Sequence, residues 1–376
     1  MNHSCTVALF EGIGKGFSNT TFELEPLETA EVLVAVTACA LCGSDLHTIA
    51  GRRSCHTPIL LGHEIVGRVV DTGGPVRDWS GRTLQAGDRI TWSIAASCGS
   101  CFYCNHELPQ KCESLVKYGH AEGESLEHDG ARGPLGGLTT HCRLVPGTAI
   151  FTIPDTLDDM QAVPANCCTA TSVAAVRLAG DVQDANLLVM GAGSLGVTVT
   201  EYALHQGAAS VVLADIDARR LQAAESIDGC TTLALDSPRQ PLPDPIRQLT
   251  DGRGVDIAID VSGATSAIQS ALDWLRIGGH AILVGSVFQS PPLALDTESV
   301  VRRMLTISGL HNYQPTDLAQ ALDFLAQLPN NALSRSLVGP TFSLHDIDQA
   351  VAAADSAAHL RVVVTPTTEP LAGTTA

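Results

Sequence analysis

Residues 185–215 read ANLLVMGAGSLGVTVTEYALHQGAASVVLAD. An apolar run from Asn186 to Met190 leads into Gly191, Gly193 and Gly196, with Ser194 and Leu195 between the last two. A helical stretch at 194–206 follows, and a second apolar run ends on Asp215. Glycines at these spacings let the backbone turn tightly and approach a pyrophosphate at the N-terminus of the following helix. A carboxylate at the end of the next strand accepts from an adenosine ribose 2′-hydroxyl and repels a 2′-phosphate. Asp215 therefore favours NAD over NADP, and Arg219 and Arg220 soften that preference. The plain alternative is an ordinary strand–turn–helix with a surface aspartate.

Outward from this stretch the pattern repeats. A helix is predicted near 217–226, then VDIAID, a helix at 264–275, HAILVG and a further strand, LTISGL, at 305–310. Strands alternating with helices make a parallel, doubly wound sheet. Upstream the character is mostly β. Strands are predicted at 5–10, 31–38, 65–71, 87–93 and within 142–154, with 114–138 reading as a loop. From Thr156, a candidate cap, one long Ala-rich helix is predicted through TLDDMQAVPANCCTATSVAAVRLAG. The last part, 312–365, carries two helical stretches and the strand RVVVT, and the tail TPTTEPLAGTTA reads as loose. No repeats or low-complexity blocks interrupt the chain.

Two metal-binding patterns lie in this upstream part. The stretch Cys42–Glu64, CGSDLHTIAGRRSCHTPILLGHE, holds a thiol and an imidazole suited to Zn²⁺, at Cys42 and His63. A catalytic metal needs a third ligand and an open position, and Cys167 in PANCCTAT is the candidate. Cys98, Cys101, Cys104 and Cys112 form C-x2-C-x2-C-x7-C, which can close a tetrahedral shell with no open position. The alternative for that quartet is reduced thiols or local disulfides. The other six cysteines, Cys5, Cys39, Cys55, Cys142, Cys168 and Cys230, read as small buried apolar residues.

Taken together, CGSDLH, GHE, the cysteine quartet and GAGSLG resemble the zinc-dependent medium-chain alcohol dehydrogenases over nearly the whole chain. The resemblance implies an α/β chain: a GroES-like, mostly β catalytic domain at 1–165 and a Rossmann NAD-binding domain at 166–311. A return segment at 312–376 completes the first domain. It implies two zinc ions per chain, with Cys167 rather than Cys168 as the catalytic ligand. It places Ser44 to take the alcohol proton and His47 to pass it towards solvent. Thr171, Arg220 and Arg361 fall among its cofactor contacts. Glu64 either sits near or transiently binds the metal, or is a carboxylate holding Arg361 or another cation. Asp45 is a candidate brace of the site with no firm role. The resemblance further implies a cytoplasmic homodimer or homotetramer.

Arg52 and Arg53 depart from the apolar lining that classical members place there. A guanidinium beside a catalytic zinc suits a bidentate grip on phosphonate, phosphate or carboxylate, and His56 could add a donor. The plain alternative is a pair of solvated loop arginines. GRRS, GHEIVG, KYGH and PANCCTAT resemble a narrower branch, the dehydrogenases associated with phosphonate metabolism, including those acting on hydroxymethylphosphonate. The expected substrate is thus a small anionic primary alcohol or its aldehyde. The rival expectation is a polyol or amino-alcohol dehydrogenase of the sorbitol or threonine type. A non-enzymatic relative ranks below both because the metal ligands are kept.

Bulk properties agree with an enzyme of two domains. The 376 residues are 45% hydrophobic and 16% charged, enough for two substantial cores. A net charge of −18 argues against nucleic acid and anionic membrane partners. No apolar run approaches a membrane span, and the N-terminus, MNHSCTVALFEG, does not read as a signal peptide.

Overall fold

The computed structural model describes residues 4–120, 127–128, 131–235, 241–356 and 358–366. Most of the expected loose tail, from 367 onwards, and part of the expected 114–138 loop lie outside these residues. The chain divides into two compact units. The first comprises residues 1–167, 314–327 and 335–376, and the second comprises 168–313 and 328–334.

The first unit is built on a mixed sheet whose central strand, Val32–Leu41, is apolar on both faces and almost wholly buried. Glu64–Thr72 pairs with it antiparallel on one side, continuing outward to Arg89–Trp92 and Ile150–Thr152. On its other side lies Arg361–Thr365, also antiparallel, then Val338–Ser343 in parallel. The strand RVVVT from near the C-terminus thus sits directly beside the central strand. Its β-branched run suits a position buried on both faces. Ser4–Phe10 pairs with Phe17–Glu23 and with Ile59–Leu60 in a smaller sheet. Phe10, Leu60, Ile65, Trp92, Tyr118 and Leu138 are among the side chains filling the core.

The second unit carries six parallel strands in the order Cys230–Ala234, Ser210–Asp215, Asn186–Met190, Val255–Asp260, Leu275–Leu283 and Thr306–Gly309. Numbered within the unit, that order is 3-2-1-4-5-6, which puts the reversal of strand order beside Asn186–Met190. Ligands of doubly wound sheets bind beyond the carboxyl ends of the strands at such a reversal. The glycine-rich turn emerges there.

The segment expected as one long helix after Thr156 is broken into three pieces. Asp158, not Thr156, caps the first, Asp159–Ala162, by accepting from the Gln161 N–H. A π-helical turn, Ala165–Thr169, follows Pro164, and a regular helix runs only over Ala170–Ala179. Proline lacks the N–H that would continue the ladder. π-helical turns are frequent where a helix bears function, and this one carries Cys167. Helices that propensity did not reveal, among them Gly43–Ile49, Asp244–Leu249 and Thr297–Arg302, are one to two turns long.

Candidate active site and metal centres

Helix Gly43–Ile49 starts from Cys42, so the thiol stands at its N-terminal cap. Asp45 fixes that start: its Oδ2 accepts from the Cys42 N–H at 2.9 Å. The same carboxylate is fully buried, and its Oδ1 lies 3.3 Å from the Gly62 N–H and 3.3 Å from His63 Nδ1. One aspartate therefore ties together the two segments that supply Cys42 and His63. Asp45 had no firm role in the sequence.

Cys167 is brought in by its neighbour. Asn166 is fully buried, and its Oδ1 accepts from the Ile65 N–H at 3.1 Å. Its Nδ2 donates to the carbonyls of His63 and Trp92, both at 3.0 Å. This amide links the π-helical turn to the strand that follows His63. Ligand atoms of Cys42, His63, Glu64 and Cys167 lie within 4.8 Å of one another.

The electrostatics of this group suit a soft dication. The Cys167 thiol donates to Cys42 and, with the Arg361 guanidinium and His63, holds the Cys42 thiol well below its ordinary range. Cys167 is itself pushed well above that range, first by the same hydrogen bond and then by burial. Two thiols sharing a proton in this way are two thiolates once a metal ion replaces it. Burial alone would lower the His63 imidazole, but Asp45 and Cys42 raise it to about 10. A carboxylate on the far nitrogen of a ligating histidine is what orients the ring and raises its basicity. Sulfur, sulfur and nitrogen with an unfilled fourth position is a donor set for catalytic zinc.

Glu64 does not stand free at the metal centre. Arg361 grips it with two hydrogen bonds, Nε to Oε2 at 2.9 Å and Nη2 to Oε1 at 2.8 Å, in a buried bidentate pair. Arg361 Nη2 also lies 4.0 Å from Cys42 Sγ. Burial pushes the Glu64 carboxyl up to about 7, against the opposing pull of Arg361. Arg361, expected among the cofactor contacts, is thus paired with the carboxylate for which the sequence left two roles open.

Ser44 Oγ lies 3.3 Å from His63 Nε2 and 3.2 Å from His120 Nε2. His120 is buried, with its ring centroid 4.7 Å from that of His63 and its Nε2 3.5 Å from Asp45 Oδ1. Burial, helped by His63, Lys117 and Arg53, holds its pKa well below the ordinary imidazole range. Sequence reasoning missed His120 because it falls in a Gly-rich stretch read as loop. His47 is half-buried, and Arg52 Nη1 approaches its Nδ1 at 3.5 Å. Burial and then Arg52 lower the His47 pKa, so its neutral form is favoured.

The expected substrate residues separate. Arg52 and His56 are exposed, whereas Arg53 is half-buried. Among the described residues Arg53 meets no carboxylate at ion-pair distance.

The second cysteine group, Cys98, Cys101, Cys104 and Cys112, also has its ligand atoms within 4.8 Å of one another. Cys101 Sγ is 3.5 Å from Cys104 Sγ and 3.9 Å from Cys112 Sγ. Backbone N–H groups of Cys98 and Ser114 point at Cys112 Sγ, at 3.2 and 3.4 Å. Those of Ser100 and Cys101 hold the Cys98 thiol down to about 6. N–H groups aimed at sulfur stabilise thiolate. All twelve cysteines are unpaired, so disulfides do not account for the quartet. Four thiolates with no other donor make a closed, structural zinc shell.

In the second unit Gly191 has φ +110°, a region that favours glycine. A Cβ on Gly196 would lie 1.7 Å from the Gly191 carbonyl oxygen, so only glycine lets the helix begin so close to the strand. Helix Ser194–His205 starts from Gly193. Asp215 is buried, its Oδ2 accepting from the Ala192 N–H at 2.6 Å and its Oδ1 from the Asp217 N–H at 2.8 Å. The carboxylate therefore braces the glycine turn itself. Arg219 is exposed and bonded to Asp217, Nη2 to Oδ2 at 2.7 Å, and Arg220 is exposed. Thr171 lies in helix Ala170–Ala179.

Comparison with known proteins agrees with this chemistry. A family model for the alcohol dehydrogenase GroES-like domain matches residues 28–155, and one for zinc-binding dehydrogenases matches 194–327. D-arabitol-phosphate dehydrogenase of Enterococcus avium is 30% identical over 304 residues, covering 79% of each chain. Sorbitol dehydrogenase of Halalkalibacterium halodurans is 27% identical over 352 residues, 89% of this chain and 92% of that one. The crystal structure of an alcohol dehydrogenase from Thermotoga maritima superposes with a TM-score of 0.88 at 25% identity, covering 97% of this chain and all of that one.

Proposed function

Since the chain belongs to the zinc-type medium-chain alcohol dehydrogenases, oxidoreductases that use zinc and NAD(P), we propose that it interconverts a small anionic primary alcohol and its aldehyde, with NAD as the hydride carrier. The substrate we favour is a hydroxyphosphonate such as hydroxymethylphosphonate. The observation that carries this reading is Arg53, a half-buried guanidinium in the segment between the two ligands Cys42 and His63, with no carboxylate partner among the described residues. A cation left uncompensated in a partly dry place favours an anionic guest. The action of one relative on a phosphorylated polyol supports the same class of substrate.

Zinc held by Cys42, His63 and Cys167 supplies a Lewis acid that lowers the pKa of an alcohol in the site. The protein's own residues handle the proton. Ser44 Oγ, between the His63 and His120 rings, is the hydroxyl placed to receive it. His47, kept neutral by burial and Arg52, is the base that passes it towards solvent. Asp45 and Asn166 hold the ligands in place, and Arg361 keeps Glu64 beside them. Asp215 supports NAD over NADP, because a 2′-phosphate would meet its carboxylate. Twelve unpaired cysteines fit a reducing compartment, and among the described residues no helix is long and apolar enough to cross a membrane. We take the working form to be a cytoplasmic homodimer or homotetramer, as in the family.

The test is a comparison of hydroxymethylphosphonate with neutral alcohols of similar size, read as NADH absorbance. A charge-assisted hydrogen bond contributes about 1.5–3 kcal/mol. Arg53→Leu should therefore lose roughly ten- to a hundredfold in kcat/KM on the anionic alcohol, mostly in KM. Equal losses on neutral alcohols would make Arg53 a structural residue. The second reading, a polyol or amino-alcohol dehydrogenase, is favoured by the likeness to sorbitol dehydrogenase. Turnover of sorbitol or threonine well above any anionic alcohol would establish it instead.

A further inference from the structure

Residues 116–120, which follow the structural cysteines, run against the metal-binding segment. Val116–Lys117 pairs antiparallel with Ala95–Ala96, Lys117 opposite Ala95, and the Tyr118 N–H donates to the Ile94 carbonyl at 2.9 Å. Tyr118 is wholly buried, its hydroxyl 2.6 Å from Thr148 Oγ1 and accepting from the Val145 N–H at 3.0 Å. Successive side chains of an extended strand point to opposite faces. Val116 packs against the core, so its strand neighbour Lys117 faces the other way, where it is half-buried.

The next two residues fix where that other side is. Gly119 packs so closely on the ligand segment that a Cβ would lie 2.1 Å from the Gly62 carbonyl oxygen and 3.0 Å from the His63 nitrogen. His120 then reaches Ser44 and Asp45. Lys117 thus lies two residues before a backbone contact with the ligand segment. Its ammonium is pushed down to about 8, first by burial and next by the Arg53 guanidinium, against the pull of Cys167, Asp45 and Cys42. Arg53 and Lys117 also both act on His120. Like charges repel, and the Arg53 guanidinium is near enough to Lys117 to oppose its charge. Among the described residues neither has a carboxylate at ion-pair distance.

We propose that Lys117 and Arg53 form a two-cation clamp on the oxyanion of the substrate, so that the site takes a tetrahedral phosphonate or phosphate monoester ahead of a carboxylate. A tetrahedral oxyanion offers three oxygens and up to two negative charges. Arg53 can take two oxygens with its planar fork, and Lys117 can take a third as a point charge. A carboxylate has two oxygens and one charge, and satisfies one cation at the expense of the other. The clamp rests on the anionic-alcohol reading above and specifies the anion.

The test uses full-length, zinc-loaded enzyme with three probes: hydroxymethylphosphonate and glycolate as substrates, and methylphosphonate as an inhibitor that has no hydroxyl to oxidise. Lys117→Met should raise the inhibition constant of methylphosphonate roughly tenfold or more, the scale of one charge-assisted hydrogen bond. It should lower kcat/KM on hydroxymethylphosphonate more than on glycolate, and Lys117→Arg should recover most of both losses. An unchanged inhibition constant, or equal losses on the two substrates, overturns the clamp. If hydroxymethylphosphonate is not oxidised but methylphosphonate still inhibits in a Lys117-dependent way, the clamp stands and the proposed reaction falls. If Lys117→Met does not fold, acylation of Lys117 in the wild-type protein gives the same information. Methylphosphonate should protect the amine, and absence of protection overturns the clamp.

Discussion

Asn166 offers the sharpest test of how the catalytic metal site is assembled. Its side chain makes three hydrogen bonds in a fully buried place, to the Ile65 N–H and to the carbonyls of His63 and Trp92. Asn166→Leu keeps most of the volume and removes all three. With a net contribution of about 1 kcal/mol for each, the loss comes to roughly 3 kcal/mol, or about a hundredfold in the unfolding equilibrium. The damage should concentrate on one metal. Cys167 is the next residue, and His63 offers one of the lost acceptors, so two of the three ligands lose a common brace. Removing such a support typically weakens metal binding roughly ten- to a hundredfold. The assay is chelator competition on purified protein, with zinc counted by elemental analysis, beside urea unfolding. One zinc should leave well before the other, and activity should fall with it. Asn166→Asp should be at least as harmful, because a carboxylate would face two carbonyl oxygens. Wild-type unfolding together with wild-type retention of both metals would refute the reasoning.

Other outcomes separate the remaining parts. Cys42→Ser should give a folded, inactive protein with one zinc per chain, whereas Cys101→Ser should lower the melting temperature, because only the quartet forms a closed shell; elemental analysis and calorimetry distinguish them. Arg361→Met leaves Glu64 buried without its partner, and breaking such a pair costs about 3–5 kcal/mol, read as a lower urea midpoint that Glu64→Gln in the same chain should partly restore. Asp215→Ala should narrow the kinetic preference for NAD over NADP, and should also weaken binding of both, since the Ala192 N–H loses its acceptor; a wild-type enzyme that uses both cofactors equally would remove the ribose role from Asp215.

The parts legible in the sequence are those where local spacing and chemistry coincide. A glycine turn needs its glycines within six residues, and Gly191 and Gly196 meet through backbone contacts that no other residue permits. The cysteine quartet is similar, with all four ligands inside one short segment. The strands of the second unit are legible for a related reason: burial on both faces leaves short, mostly apolar runs such as NLLVM and SVVLA. What escaped depends on distance. Nothing adjacent to Asn166 in the chain shows that its amide will meet the backbone of Ile65, 101 positions away, and of Trp92, 74 positions away. The break after Asp159–Ala162 hid for the opposite reason, because Ala-rich flanks imitate one continuous helix around Pro164.

The same contrast explains why the site's polar residues resolve unevenly. Arg52 and Arg53 are neighbours of one type, and composition cannot rank them. The fold does so by turning Arg52 towards His47 at the surface and leaving Arg53 half-buried. Glycine and charge around Lys117 and His120 read as loop, yet between them Tyr118 is buried in the core with its hydroxyl accepting from the Val145 N–H. A tyrosine set between a lysine and a Gly-His pair, in Lys117–His120, is the sequence signal that could have exposed it. The polar surroundings of the metal ligands therefore come from two kinds of segment: Arg52 and Arg53 from the one that carries Cys42 and His63, and His120, which meets Ser44 and Asp45, from one that carries no ligand.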